Sequence, residues 1–228
     1  HNVQMSGGSE NIKYLASLGY QNQDAFYKNS ATGFQQYDLR LNLDAKINEN
    51  VNLSIGILGR EEFRRFPTKP AGAIFRMQMR GKPQEQAFWP NGLPGPDIEN
   101  GENPVVITTN LTGYDHDKQS YFQTNGQLDV KIPWIQGLKL SGTAAIDKRF
   151  RATKRWETPW TLYQKGSGFE ADGKTPTLVA SKRGPAEPRL TVGDETQLNV
   201  LLGAIATYER KFNGHGITVL AGTNRETI

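Results

Sequence analysis

Residues Tyr37 to Ile57 read Tyr-Asp-Leu-Arg-Leu-Asn-Leu-Asp-Ala-Lys-Ile-Asn-Glu-Asn-Val-Asn-Leu-Ser-Ile-Gly-Ile. The odd positions Tyr37, Leu39, Leu41, Leu43, Ala45, Ile47, Val51, Leu53, Ile55 and Ile57 are apolar, broken only by Glu49, while Asp38, Arg40, Asn42, Asp44, Lys46, Asn52 and Ser54 stand between them. A period of two belongs to strands, whose side chains alternate between faces, and not to helices. Asn48-Glu49-Asn50 suits a tight turn, because Asn tolerates left-handed backbone angles and bonds its own backbone, so the stretch predicts a hairpin. Each arm has about ten residues, against about five or six for strands of soluble domains and about 9–11 for tilted strands that cross a bilayer. Arm length is the first sign of a membrane.

The chain has 228 residues, 36% of them hydrophobic, which is enough to build a full core. A mean hydropathy of −0.61 and the lack of any apolar run near helix-spanning length exclude a transmembrane helix. A membrane barrel stays open, because there only every second residue meets lipid and hydropathy averages to a soluble-looking value. Zero cysteines exclude a disulfide framework and thiolate metal sites. The net charge of +4 is too small to argue for nucleic acid without a localised patch. The sequence starts at His1 in an already alternating stretch and stops in another at Ile217 to Thr223, so a piece of something larger is expected.

Outward from the hairpin, the same alternation recurs. Ile12, Tyr14, Ala16, Leu18 and Tyr20 mark a strand before it; Phe122, Thr124, Gly126, Leu128, Val130 and Ile132 mark one after it. Leu138, Leu140, Gly142, Ala144 and Ile146 return across Pro133-Trp134-Ile135-Gln136-Gly137, and Leu198 to Tyr208 pairs with the last strand across Asn213-Gly214-His215-Gly216. Between these lie a modest loop at Ala25 to Thr32 and two long ones, at about 66–117 with a short helix expected over Ala71 to Arg80, and at about 157–192. Short turns thus alternate with longer loops. A sandwich scatters its long loops over both ends, whereas an outer-membrane barrel keeps periplasmic turns short and extracellular loops long. The fold expected is an all-β antiparallel meander of about eight long strands, a fragment of a large transmembrane β-barrel. Aromatic residues near strand ends, Tyr20, Tyr37, Phe63, Trp134, Trp156 and Tyr208 among them, suit the water–lipid boundary. The competing reading is a secreted or periplasmic β-sandwich carbohydrate-binding module, in which the Leu39 to Ile57 face is a dry core.

No catalytic set emerges. His1, His116 and His215 are scattered, and no nucleophile-elbow, zinc-protease or phosphate-loop pattern is present. Asp115-His116-Asp117 reads as a solvated loop rather than a metal site, since consecutive residues rarely converge on one ion. Asp97, Glu99 and Glu102 around Gly101 form a weak calcium candidate lacking the regular spacing of a calcium loop. The basic and aromatic run Lys148 to Trp156, with Arg149, Arg151, Lys154 and Arg155, falls at the extracellular end of its strand, level with Arg60, Arg64 and Arg65. Together they are expected to form a rim that contacts the anionic sugar-lipid head groups of lipopolysaccharide, and not nucleic acid. For ligand contact, Phe88, Trp89, Trp160 and Tyr163 on the long loops are the candidates, since aromatic faces stack on sugar rings or apolar side chains; stapling of the loops is the competing role.

Ser6-Gly7-Gly8, Tyr14, Ser17-Leu18-Gly19-Tyr20, Gln36-Tyr37-Asp38-Leu39-Arg40-Leu41-Asn42-Leu43-Asp44 and Val51-Asn52-Leu53 resemble the early barrel region of SusC/RagA-type TonB-dependent transporters. The match is specific over the first sixty or so residues; Asp24-Ala25 departs from it, where that family often has an acidic residue followed by Gly. The resemblance implies a barrel of about 22 strands with a plug domain, the present chain covering roughly its first third without the plug. It also implies active import of oligosaccharides or peptides across the Gram-negative outer membrane. Energy would come from TonB through a plug or N-terminal segment, a SusD-like surface lipoprotein would cap the pore, and no cofactor would be needed.

Overall fold

A computed structural model describes residues 1–227. Its strands are β1 (Asn2–Gly8), β2 (Ile12–Asp24), β3 (Gly33–Lys46), β4 (Val51–Phe66), β5 (Gly113–Lys131), β6 (Leu138–Glu157), β7 (Trp160–Phe169), β8 (Pro176–Arg183), β9 (Arg189–Phe212) and β10 (His215–Thr227). Eight of them form one meander in the order β1-β2-β3-β4-β5-β6-β9-β10, while β7 and β8 pair separately as a ribbon. The hairpin that opened the sequence folds as its residues require. Leu41 faces Ile57, Leu43 faces Ile55 and Ala45 faces Leu53, and the backbone N–H of Asn50 donates to the Asn48 side chain at 2.8 Å to close the turn. At the β9–β10 hairpin, Asn213 and Gly214 take φ of 42° and 87°, the left-handed pair that matches strand twist in a two-residue turn.

Strand lengths exceed the expectation. β6 has 20 residues and β9 has 24, and at about 3.3 Å per residue each is roughly twice what a tilted strand needs to cross a bilayer. The excess lies at the ends joined by long loops, so the sheet stands well above the turns-side rim.

The register sorts every side chain to a face. One face carries Tyr20-Tyr37, Leu18-Leu39, Ala16-Leu41 and Tyr14-Leu43, and continues through Ile55, Ile57, Thr124, Leu128, Ile146, Val200 and Leu202. Nothing in the structure covers it: Leu39 is 40% exposed, Leu128 42%, Ile146 42% and Leu202 53%. The apolar residues that are buried, Ile74, Met77, Trp89, Val106, Ile107, Trp160 and Leu162, all belong to the connections or the ribbon. A β-sandwich puts its core between sheets, so the sandwich reading is overturned: the sheet has its apolar side outside, and no second layer lies on it among the described residues.

The two long connections are more ordered than expected. The first holds α1 (Ala71–Met79), close to the expected helix, the short α2 (Pro104–Ile107) and a 3-10 turn at Asn110–Thr112. It ends earlier than expected, because β5 begins at Gly113 rather than near Phe122. The second contains the β7–β8 ribbon where an irregular loop was expected. Ile74, Met77 and Ile107 pack together with Tyr27 from the β2–β3 loop, and Val106 packs with Trp160 and Leu162. α2 thus joins both small cores, and the three connections form one folded cap over the loop end of the sheet.

Candidate functional site

Opposite the apolar face, the upper half of the sheet carries a belt of paired charges. The register Asp38-Arg60-Tyr121-Arg149 continues upward as Gln36-Glu62-Gln119-Arg151, then Arg64-Asp117, then Asp115-Arg155. Each strand offers every second residue to this belt. Arg60 Nε lies 2.6 Å from Asp38, and Arg64 lies 2.7 Å from Glu62, which is only 6% exposed. Arg151 makes a two-pronged contact with Asp117, at 2.8 Å from one nitrogen and 3.1 Å from the other. Arg155 bridges Asp115 at 3.2 Å and Glu157 at 3.3 Å and donates to the Thr68 carbonyl at 2.8 Å, tying the start of the first long connection to β6. Neutral donors fill the gaps: Gln36 donates to Asp38 and the Tyr121 hydroxyl to Gln119, both at 2.6 Å.

At the tip of β6, beyond the apolar band, the Arg189 guanidinium at 2.7 Å holds the Glu157 carboxyl below its usual range; partial burial opposes this and Arg155 adds to it. Such half-exposed pairs contribute about 0–1 kcal/mol each to stability. Their value is positional, since they fix both signs of charge on one polar face.

The structure divides the expected basic rim. Arg60, Arg64, Arg149, Arg151 and Arg155 fall on the polar face in this belt. Arg65 and Lys154 fall on the apolar face, in one row with His116. A common rim is therefore corrected, because neighbours in a strand point to opposite faces and the run Lys148 to Arg155 serves two surfaces. Asp115 and Asp117 face the polar side while His116 faces away, so these three cannot meet on one ion.

Of the loop aromatics, Trp89 is 8% and Trp160 9% exposed. Trp89 Nε1 donates to the Tyr163 carbonyl at 2.9 Å, and Trp160 packs in the Val106–Leu162 core. Both staple the cap, which corrects their assignment as ligand platforms; Phe88, 50% exposed, and the half-buried Tyr163 keep accessible rings. Gly184, at φ 84°, makes room for Trp160: a Cβ there would stand 2.3 Å from the indole ring.

The acidic trio is also redeployed. Glu102 pairs with Lys69, Glu99 with Arg80 and Arg76, and Asp97 with Arg183 at 3.6 Å. No three acidic or histidine side chains converge as a metal cage among the described residues. The calcium candidate becomes a set of ion-pair staples between α1, the Asn100-Gly101 turn and β8.

The charged belt escaped the sequence reading, although its signal was present. Arg149, Arg151 and Arg155 share parity with Ser141 and Thr143, and Lys148 and Lys154 with Leu140 and Ile146.

No family model matches the chain, and no curated protein matches it. A long-stranded meander with an uncovered apolar face, a charged opposite face and ordered loops at one end is the wall of a transmembrane β-barrel. Solved structures agree. The RagAB peptide importer in its closed-closed state superposes with a TM-score of 0.56 at 18% identity, covering 97% of this chain and 23% of that one. A second structure, of the RagAB peptide transporter, gives 0.53 at 16% identity, covering 99% and 31%. The chain thus has the fold of a wall segment of an outer-membrane transporter barrel and spans less than a third of the chains it resembles. In that fold its apolar face is the lipid-facing side of the barrel wall, and its polar face is the lumenal one.

Proposed function

We propose that this chain forms wall and extracellular cap of a TonB-dependent importer whose cargo is peptide rather than neutral glycan. The lumenal belt carries this reading. Arg60, Arg64, Arg151 and Arg155 alternate with Asp38, Glu62, Asp117 and Asp115 around the mouth of the lumen. A peptide, with charges of both signs at its termini and side chains, can exchange into such pairs, whereas neutral sugars call for open aromatic platforms. Two of the four expected platforms are buried in the cap. The peptide cargo of RagAB, which shares the fold, accords with this reading. A plug engaging TonB and a SusD-like surface lipoprotein closing the mouth complete the machine, as the sequence resemblance implies.

Calorimetric titration of the full-length transporter, with its lipoprotein, against oligopeptide and neutral oligosaccharide pools tests the cargo. Peptide should bind, and Arg151→Gln with Arg155→Gln should weaken it about tenfold or more. Binding of the oligosaccharide pool without the peptide pool refutes the reading.

A further inference from the structure

The cations on the lipid face behave differently from those in the lumen. Above the apolar rows, that face carries Lys148 beside Phe122 and Leu198, then Lys118 beside Phe63, and then the row Arg65-His116-Lys154. Every arginine of the lumenal belt lies within 4.0 Å of a carboxylate. Lys118 pairs with Glu61 at 2.6 Å, but Arg65, Lys148 and Lys154 have no carboxylate within ion-pair distance among the described residues. Asp194, across Ala152 from Lys118, and Asp24, across Gly33 from Arg65, are further acids on this part of the face, and neither comes within ion-pair distance of a cation among the described residues. The Arg65 guanidinium lies over Gly33 and within 5.9 Å of the Phe63 ring centroid, and its Nε is buried without a partner.

Position matters as much as charge. From Phe122, at the top of the apolar rows, to His116 is six residues along β5, about 20 Å of strand and, at the usual tilt, about 15 Å above the hydrocarbon edge. Lys148 sits at that edge and Lys154 at the upper level, so the cations are spread over the height of a large head group and not of a simple phospholipid's. Tyr114 and Trp156 face each other one row higher and add aromatic surface.

We propose that Arg65, Lys148 and Lys154, on the outward face of β4 and β6, bind the phosphate groups of an outer-leaflet glycolipid whose acyl chains lie against the apolar rows below. This goes beyond transport. It makes the segment a fixed point of contact between barrel and leaflet, and it assigns the lumenal arginines no part in that contact. Cations near an anionic surface contribute about fivefold each, so the three together amount to about a hundredfold.

The test uses the full-length protein extracted with its native lipids, with bound lipopolysaccharide counted by native mass spectrometry and rebinding titrated with purified lipopolysaccharide. The variant Arg65→Gln, Lys148→Gln, Lys154→Gln should rebind about a hundredfold more weakly, while the lumenal Arg64→Gln, Arg155→Gln should rebind as wild type does. Lys148→Arg with Lys154→Arg, which keeps both charges, should also match wild type and shows that loss in the triple variant is not misfolding. Unchanged rebinding by the triple variant overturns the proposal. So does equal loss in the lumenal variant, or displacement of the lipid by inorganic phosphate alone, which would mark a site for free anions.

Discussion

An arginine at Ile55 of the full-length barrel should cost about 2–4 kcal/mol of folding free energy, whereas one at the adjacent Ser54 should cost about 1 kcal/mol or less. Ile55 faces Leu43 on one side and Gly126 on the other, midway between Val51 and Gly59 on the lipid face. That is the bilayer midplane, where a buried guanidinium meets the full penalty. Ser54 points the other way and its hydroxyl donates to Asp44 at 2.7 Å, so an arginine there inherits a carboxylate partner in the lumen. At 1.4 kcal/mol per tenfold, the difference of about 1–4 kcal/mol corresponds to roughly a 5- to 1,000-fold shift in the folded fraction. A urea titration in lipid vesicles, read by heat-modifiable gel mobility, measures it. A third variant, Val51→Arg at the turns-side rim, should fall to about 0–1 kcal/mol, because the penalty is depth-dependent. Equal costs at Ile55 and Ser54, or the reverse order, would refute the assignment of faces and with it the lumenal belt.

Two further outcomes follow from the cap. Gly184→Ala should loosen the β7–β8 ribbon by about 1–3 kcal/mol, since the new methyl meets the Trp160 ring and the backbone is held at φ 84°; faster amide exchange across residues 160–183, with the barrel strands unchanged, is the expected signature. Because Arg189 and Arg155 depress the Glu157 carboxyl, that contact stabilises the β6–β9 tip above the ordinary glutamate range and loses the contribution as pH falls through the lowered value; Glu157→Gln should flatten this acid-side rise in local amide exchange, and an identical pH profile in the variant would contradict it.

How far the sequence could be read follows from what surrounds each residue. In the band from Val51 to Gly59, lipid lies on one side and water on the other, so the period of two is sharp and both register and facing follow from it. Above that band both faces of the strands are wet. Tyr114-Asp115-His116-Asp117-Lys118 is polar on either parity, so the pattern vanishes and the early start of β5 was invisible. The β7–β8 ribbon was hidden for a related reason, its Gly166-Ser167-Gly168 and Pro176 reading as loop punctuation although Leu162 and Trp160 anchor it. The buried state of Trp89 and Trp160 depends on α2 and Gly184 meeting them from distant parts of the chain, which no local pattern records.

The basic rim failed for a different reason, since its parity was there to be read. In a strand, charge is a property of a face and not of a stretch. Along β6 the residues Lys148, Arg149, Arg151, Lys154 and Arg155 look like one patch in sequence and make two in space, one on the outward face and one on the inward face. The arginines of β6 find their acidic partners on the inward face, in Asp115, Asp117, Glu157 and Glu195, whereas Lys148 and Lys154 on the other face have none within ion-pair distance among the described residues. If the lumenal belt meets cargo as proposed, pairing of its arginines is what keeps that surface adhesive and exchangeable. The proposed lipid contact needs no release, so unpaired cations suit the outward face. The same backbone alternation that separates the two faces therefore also separates paired from unpaired cations, within a single stretch of eight residues from Lys148 to Arg155.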